Sequence, residues 1–335
     1  MADRDLYLPR TAAEAGQTAV LDAAAPPVDA PVRPRSPRTR PPRHRADPPR
    51  SLSRDAWQDL RRRPIFLVSM VVIVFLLLVA AFPGMFTEKS PTFCDLSLSR
   101  QGPSAGAWFG YDVQGCDVYA RTIYGARASI LVGFFATIGI IVIGGLVGML
   151  AGFYSGWVDS VLSRFLEIFF GIPLLLGGIL VLASFPSGAD TPAWMTVGKV
   201  VLALSALGWT TLARIMRSTV IQVKHADYVQ AARALGCSGP RLIRRHVLPN
   251  AIAPVIVYAT IILGVLVAVE ATLSYLGIGL QPPVVSWGVD ISNATTYMRQ
   301  SPHMLLFPSA FLSMTVLAFI MLGDAVRDAL DPKLR

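Results

Sequence analysis

Six stretches of this chain run 18 to 24 residues with almost no polar interruption: 65–82, 129–151, 161–184, 196–213, 251–272 and 304–322. At about 1.5 Å of rise per residue, each is long enough as a helix to cross a hydrocarbon layer about 30 Å thick. A helix on the rim of a water-soluble core would carry a polar stripe, and these runs mostly carry none. The pattern predicts an all-α chain with six membrane-crossing helices.

The polar remainder is uneven. Residues 1–60 are rich in Ala, Pro and Arg, as in PPVDAPVRPRSPRTRPPRHR, and lack the periodic apolar positions that offset ordering entropy. They are expected to form a disordered cytoplasmic tail, ahead of a transmembrane domain spanning 61–335. Two roles stay open for it, a polybasic anchor worth about 1 kcal/mol per Arg near anionic lipid, or an extension with no specific role. No secretory signal is expected in it, because the first apolar run begins only after Arg61-Arg62-Arg63-Pro64.

Composition agrees with a bilayer: 53% hydrophobic and only 15% charged residues. The net charge of +9 would suggest nucleic acid in a soluble protein, but the first 64 residues hold 13 Arg and no Lys, so the charge speaks of topology and no nucleic-acid partner is expected. With the tail inside, the even-numbered crossings put Arg164, the Arg-rich stretch 214–250 and the C-terminal Arg327, Lys333 and Arg335 on the same side. Outside remain Lys89, Arg100, Arg121, Arg127 and Arg299, with Lys199 near an outer helix end where it can snorkel. The bias predicts both termini on the cytoplasmic side.

One cytoplasmic stretch is unlike its neighbours: YVQAARALGCSGPRLIRRHVLPN, residues 228–250. Tyr228, Ala231, Ala232 and Leu235 fall on one helical face, and Gly236 suits the left-handed position that ends a helix. Ser238 is placed to cap a second helix, with Pro240 in its first turn and Pro249 closing it. There Leu242, Ile243, His246 and Val247 share one side, and Arg241, Arg244 and Arg245 another. Two readings remain open from the residues alone: a stiff knob that lets another protein approach and push, or a hairpin lying on the membrane with Arg toward phosphate.

The stretch resembles the EAA loop of ABC importer permeases, in which a coupling helix docks into a groove of an ATPase subunit. FGYDVQGCDVYARTIYGARASI (109–130), GWTTLARIMRSTV (208–220), EATLSYLGIGLQPPVVSWG (270–288) and LGDAVRDALDPKLR (322–335) likewise resemble the C-type permease subunit of dipeptide and oligopeptide transporters. The likeness covers most of the chain from about Arg61 onward, and the first 60 residues find no counterpart. It implies a type I (MetI-like) importer permease fold with an outer loop at 83–128 and a coupling loop at 214–250. It implies that Tyr228, Ala231, Ala232, Arg233, Gly236, His246, Leu248 and Pro249 meet the ATPase. The partners implied are a second homologous permease subunit, two ABC ATPases, an extracytoplasmic substrate-binding protein, membrane lipids and a peptide substrate. ATP and Mg would sit on the ATPases, leaving this subunit without catalysis or a cofactor of its own. Nickel and glutathione permeases look similar at these motifs, and an ion-coupled secondary transporter is the rival from another class.

The chain departs from the family pattern in two places. Gln230 stands where the EAA glutamate would be, with His246-Val247 before Leu248-Pro249. In the outer loop the family's Gly-Arg-Asp reads Gly115-Cys116-Asp117. Cys94 and Cys116 both fall in that loop on the oxidising side, whereas Cys237 is alone in the reducing cytoplasm. A bond between Cys94 and Cys116 is expected, worth about 3 kcal/mol in the chain-entropy model.

No Gly-x-x-x-x-Gly-Lys-Ser/Thr loop occurs, and His44, His225, His246 and His303 show no metal-ligand spacing. Glu167 and Glu270 fall within apolar runs, where a charge facing lipid costs about 2.5–3.5 kcal/mol. Each is expected either to line the translocation path or to fix helix packing through an internal hydrogen bond. Gly144, Gly148 and Gly152 form a stripe suited to close helix contact. The prolines at 282 and 283 should stiffen the loop that leads to Trp287, a residue type that prefers the membrane interface.

Overall fold

The computed structural model describes residues 60–188 and 190–330. Residues 1–59 of the expected disordered tail and the last five residues of the C-terminal motif lie outside them, while Leu60, its last residue, is buried beside the first and last helices. Among the described residues the regular structure is helical: α1 (Pro64–Ala81), α2 (Val118–Phe153), α3 (Trp157–Phe170), α4 (Leu174–Ser184), α5 (Ala193–Lys224), α6 (Asp227–Ala234), α7 (Gly239–Leu242), α8 (Leu248–Ala251), α9 (Ala253–Tyr275), α10 (Trp287–Thr295) and α11 (His303–Leu330).

Five of these, α1, α2, α5, α9 and α11, are long and apolar enough to span a membrane. The third predicted crossing, 161–184, is not one straight helix. It is the pair α3 and α4, bent by 82° where Gly171, Ile172 and Pro173 separate them, so six spans are reached only by counting the pair as one. Pro173 disfavours helical backbone at Ile172 and cannot donate to the preceding turn, which ends α3 there.

α2 has 36 residues and α5 has 32, so both outrun a hydrocarbon layer. The outer loop expected at 83–128 therefore ends at Asp117, whose carboxylate accepts from Ala120 N at 3.0 Å and starts α2. The loop expected to begin at 214 begins instead after Lys224. Hydropathy marks where lipid stops, whereas a helix stops where its backbone finds a cap. Arg127, expected in the loop, sits in α2 and donates to Ala80 O at 3.0 Å and Ala81 O at 2.9 Å, closing the end of α1.

The central pairing is α2 against α5. A Cβ added at Gly144, Gly148 or Gly152 would come within 2.6 Å of Trp209 O, 2.4 Å of Ala213 O and 2.8 Å of Arg217 O, so the two backbones touch along the glycine stripe. Around this seam, buried Val132, Ala136, Ile140, Leu204, Leu212 and Leu266 form one continuous core. α1 packs on α11 through Phe66, Ile73, Phe319 and Leu322, with Arg63 bonded to Asp328 at 2.8 Å at its edge.

Candidate functional site

At one end of the bundle α5 gives way to the elbow. α6 closes in a Schellman pattern, with Cys237 N donating to Ala232 O at 3.1 Å and Gly236 at φ +82°. A side chain at Gly236 would meet nothing within 4 Å, so the backbone angle alone calls for glycine. Ser238 stands at the N-cap of α7 but its side chain makes no capping bond. The second helix also departs from expectation: α7 widens into a π turn over Ile243–Val247, and Pro249 opens α8 instead of closing the helix. With no N–H to give back, Pro249 loosens the turn before it, and the chain runs on through Ile252 into α9.

The elbow has two faces. Val229, Leu242 and Val247 are buried in the main core, with Ala232, Ile243 and Leu248 packed beside them. Tyr228, Ala231, Arg233 and Leu235 are exposed, and so are Arg241, Arg244 and Arg245, while His246 is half-buried and its carbonyl accepts from Asn250 Nδ2 at 2.7 Å. The face drawn from sequence thus splits: Ala232 turns inward with Val229, three residues before it, while Tyr228, Ala231 and Leu235 look out. Val229 was the missed inward anchor, because the apolar face of a short helix can be phased on either side of Ala231. Neighbouring α3 is tied to α5 by Arg217, which donates to Asp159 through Nε at 2.6 Å and Nη2 at 2.8 Å.

The two carboxylates from the apolar runs part company. Glu167 is not buried in a straight crossing: its side chain is 61% exposed on α3, one turn before the break, 3.3 Å from Arg164. Glu270 is fully buried within α9. Ser274 donates to its Oε1 at 2.7 Å and in turn accepts from Leu280 N at 2.8 Å. Ser129 and Ser286 complete the polar surroundings, and both Glu270 Oε2 and Ser129 Oγ lack a partner.

The opposite end is an ordered cap. Cys94 and Cys116 are joined sulfur to sulfur, Lys89 donates to Asp117 at 2.7 Å and also to Gly106 O, and His303 Nε2 lies 3.2 Å from Tyr111 O. Arg121 reaches Asp290 on α10, with Asp112 at 3.5 Å. Burial pushes the Asp290 carboxyl up from the ordinary aspartate range against the pull of Arg121, and Asp112 adds to the rise. Trp287, expected at the membrane interface, is instead fully buried, its Nε1 donating to Thr122 O at 2.9 Å. α10 packs against the bundle, and the indole fills the seam beside Ile123, Ala126 and Ile130 of α2.

Comparison with known proteins fits this architecture. Residues 144–335 match the family described as binding-protein-dependent transport system inner membrane component. Residues 51–103 match the N-terminal TM domain of oligopeptide transport permease C, so the family likeness reaches about ten residues further toward the N-terminus than the motifs suggested. A dipeptide transport system permease protein of Alkalihalophilus pseudofirmus is 35% identical over 84% of this chain and 90% of its own length. An oligopeptide transport system permease protein of Bacillus subtilis is 36% identical over 85% and 91%. A glutathione transport system permease protein of Pectobacterium atrosepticum is 32% identical over 84% and 91%. With α2 from residue 144 onward, the elbow and every later helix inside the matched region, the chain belongs to the family of binding-protein-dependent transport system inner membrane components.

Proposed function

We propose that the chain is one permease subunit of an ATP-driven importer for di- or oligopeptides, with both termini cytoplasmic and the elbow as its coupling site. The observation that carries this reading is the elbow's two-sidedness. Val229, Leu242 and Val247 are at most 1% exposed, whereas Leu235 is 89% and Tyr228 47% exposed on a cytoplasmic knob rimmed by Arg233, Arg241, Arg244 and Arg245. A membrane hairpin would turn its apolar residues to lipid, but here the larger share is locked into the bundle. What is left outside is a small apolar tip with a basic rim, suited to an acidic-edged groove in a protein.

In this reading ATP closes two partner ATPases on the elbow, and the displacement tilts the spans to alternate access to a cavity completed by a second, homologous permease subunit. An extracytoplasmic binding protein delivers the peptide at the end formed by residues 83–117 and α10. Glu167 faces that shared path: an exposed carboxylate on a spanning pair avoids lipid, and an aqueous path lets it meet a peptide's ammonium group. Relatives named for dipeptide, oligopeptide and glutathione transport support a peptide substrate class.

The test is purification in mild detergent, with Leu235→Cys cross-linking to whatever ATPase accompanies the chain, followed by uptake in proteoliposomes. ATP-dependent entry of labelled peptides of two to five residues is the expected outcome. Entry of glutathione alone would move the substrate, and a Leu235→Cys that reaches no ATPase would sink the coupling site.

A further inference from the structure

The elbow is fastened to the bundle by one residue whose ends serve two different elements. Lys224, the last residue of α5, is only 8% exposed. Its Nζ donates to Gly152 O at 2.8 Å, Phe153 O at 3.4 Å and Ser155 Oγ at 2.7 Å, so its hydrogens are spent at the C-terminus of α2. There the last carbonyls lack helical partners and the helix dipole is negative, which favours a cation. The backbone carbonyl of the same Lys224 accepts from Gln230 Nε2 of α6 at 2.7 Å. A glutamate at 230, acceptor only when ionised, could not make that bond. The chain's departure from the EAA pattern therefore supplies the donor that this carbonyl uses.

The surrounding packing makes the link stiff. Val229, Leu242 and Val247 of the elbow share one core with Met149 and Phe153 of α2 and Val220 of α5. The α2–α5 seam permits almost no sliding, because a Cβ at Gly152 would already crowd Arg217 O and Val220. A displaced elbow can thus move α2 and α5 only as a unit, provided Lys224 holds.

Resting on the coupling function above, we propose that Lys224, with Gln230, is a positioning residue that makes the elbow and the α2–α5 pair one rigid lever. The alternative is a helix cap that stabilises the fold without carrying load. The two differ in a distance. In the assembled complex in nanodiscs, carrying Cys237→Ser, spin labels are placed at Ser238→Cys on the elbow, outside the residues assigned to the ATPase, and at Leu146→Cys on α2. Their separation is compared without nucleotide and with ATP–vanadate trapped on the ATPases.

With Lys224 present the separation stays fixed to within about 1 Å, below the roughly 1–2 Å of a helix shift. In Lys224→Met the trapped state shifts it by several ångström, while ATP hydrolysis stays within about twofold of the parent. Lys224→Gln, which keeps a donor to the α2 carbonyls, gives an intermediate shift and serves where the Met variant fails to assemble. A separation that moves in the parent protein, or that stays fixed in both variants, overturns the inference. Absence of a nucleotide-hydrolysing subunit from the purified assembly overturns the coupling function itself, and is seen before any label is read.

Discussion

Arg121 and Asp290 stand 169 residues apart, yet Nε at 2.8 Å and Nη2 at 2.5 Å of the one meet the same Oδ1 of the other. Their side chains are 12% and 9% exposed, so the pair pins α10 to the first turn of α2 out of contact with most water. Removing one partner of a buried pair typically costs about 3–5 kcal/mol, because the other charge is left uncompensated. Arg121→Met is expected to lower the thermal unfolding temperature in mild detergent accordingly, and adding Asp290→Leu should recover more than half of the loss. If the two losses instead add, the pair is not the source of the stability.

The outer cap offers a second measurement. A bond between Cys94 and Cys116 closes a loop with a sequence separation of 22, which the chain-entropy model values at about 3 kcal/mol. Without reductant, both thiols should resist alkylation in native membranes while half-buried Cys237 reacts after denaturation. Cys94→Ser should make residues 83–117 more susceptible to added protease. Ready alkylation of both cysteines in untreated membranes would remove the bond from the account.

Where the sequence was legible, one local periodicity decided the outcome. The apolar runs located the spans, and Gly144, Gly148 and Gly152 located the α2–α5 seam, because each pattern is written within a single helix. Hydropathy averaged across the break at 171–173 stays high and does not register direction, although Gly171 and Pro173 mark the place where the helix ends. The elbow's position was readable from Gly236 and its flanking helices. Its true inner anchors were not, since Val229 is chosen by Phe153 and Val220 on other helices. Arg217 with Asp159, and Lys224 with Gly152, join residues 58 and 72 apart, and neither partner carries a mark of the other.

Glu270 gives a third prediction. Its Oε1 takes the Ser274 hydroxyl, while Oε2 and Ser129 Oγ remain unpaired near one another. In Glu270→Gln the carboxamide oxygen can still accept from Ser274 and its NH2 can donate to Ser129, so stability should change by less than about 1 kcal/mol and the complex should assemble. Glu270→Leu removes the acceptor of the Ser274 hydroxyl and should cost about 1–3 kcal/mol. With a packing role, peptide uptake follows assembly in both variants. Normal assembly with abolished uptake in Glu270→Gln would show that the charge itself is needed.

The glycine seam supplies the last test, because neighbouring positions differ so sharply. A Cβ at Gly148 would lie 2.4 Å from Ala213 O and 2.8 Å from Met216 Cβ, whereas one at Gly145 would meet nothing within 4 Å. Backbone cannot rotate away as a side chain does, so Gly148→Ala must push α2 and α5 apart, at a cost of about 1–3 kcal/mol. Gly145→Ala faces open space and gains about 1 kcal/mol of helix propensity at most. The two alanine variants should therefore move the unfolding temperature in opposite directions in the same detergent. Gly148→Ala should also be the one that lowers ATP-driven uptake, since α2 and α5 would no longer travel together. Equal melting of the two variants would mean that the helices do not meet along this stripe in the folded protein.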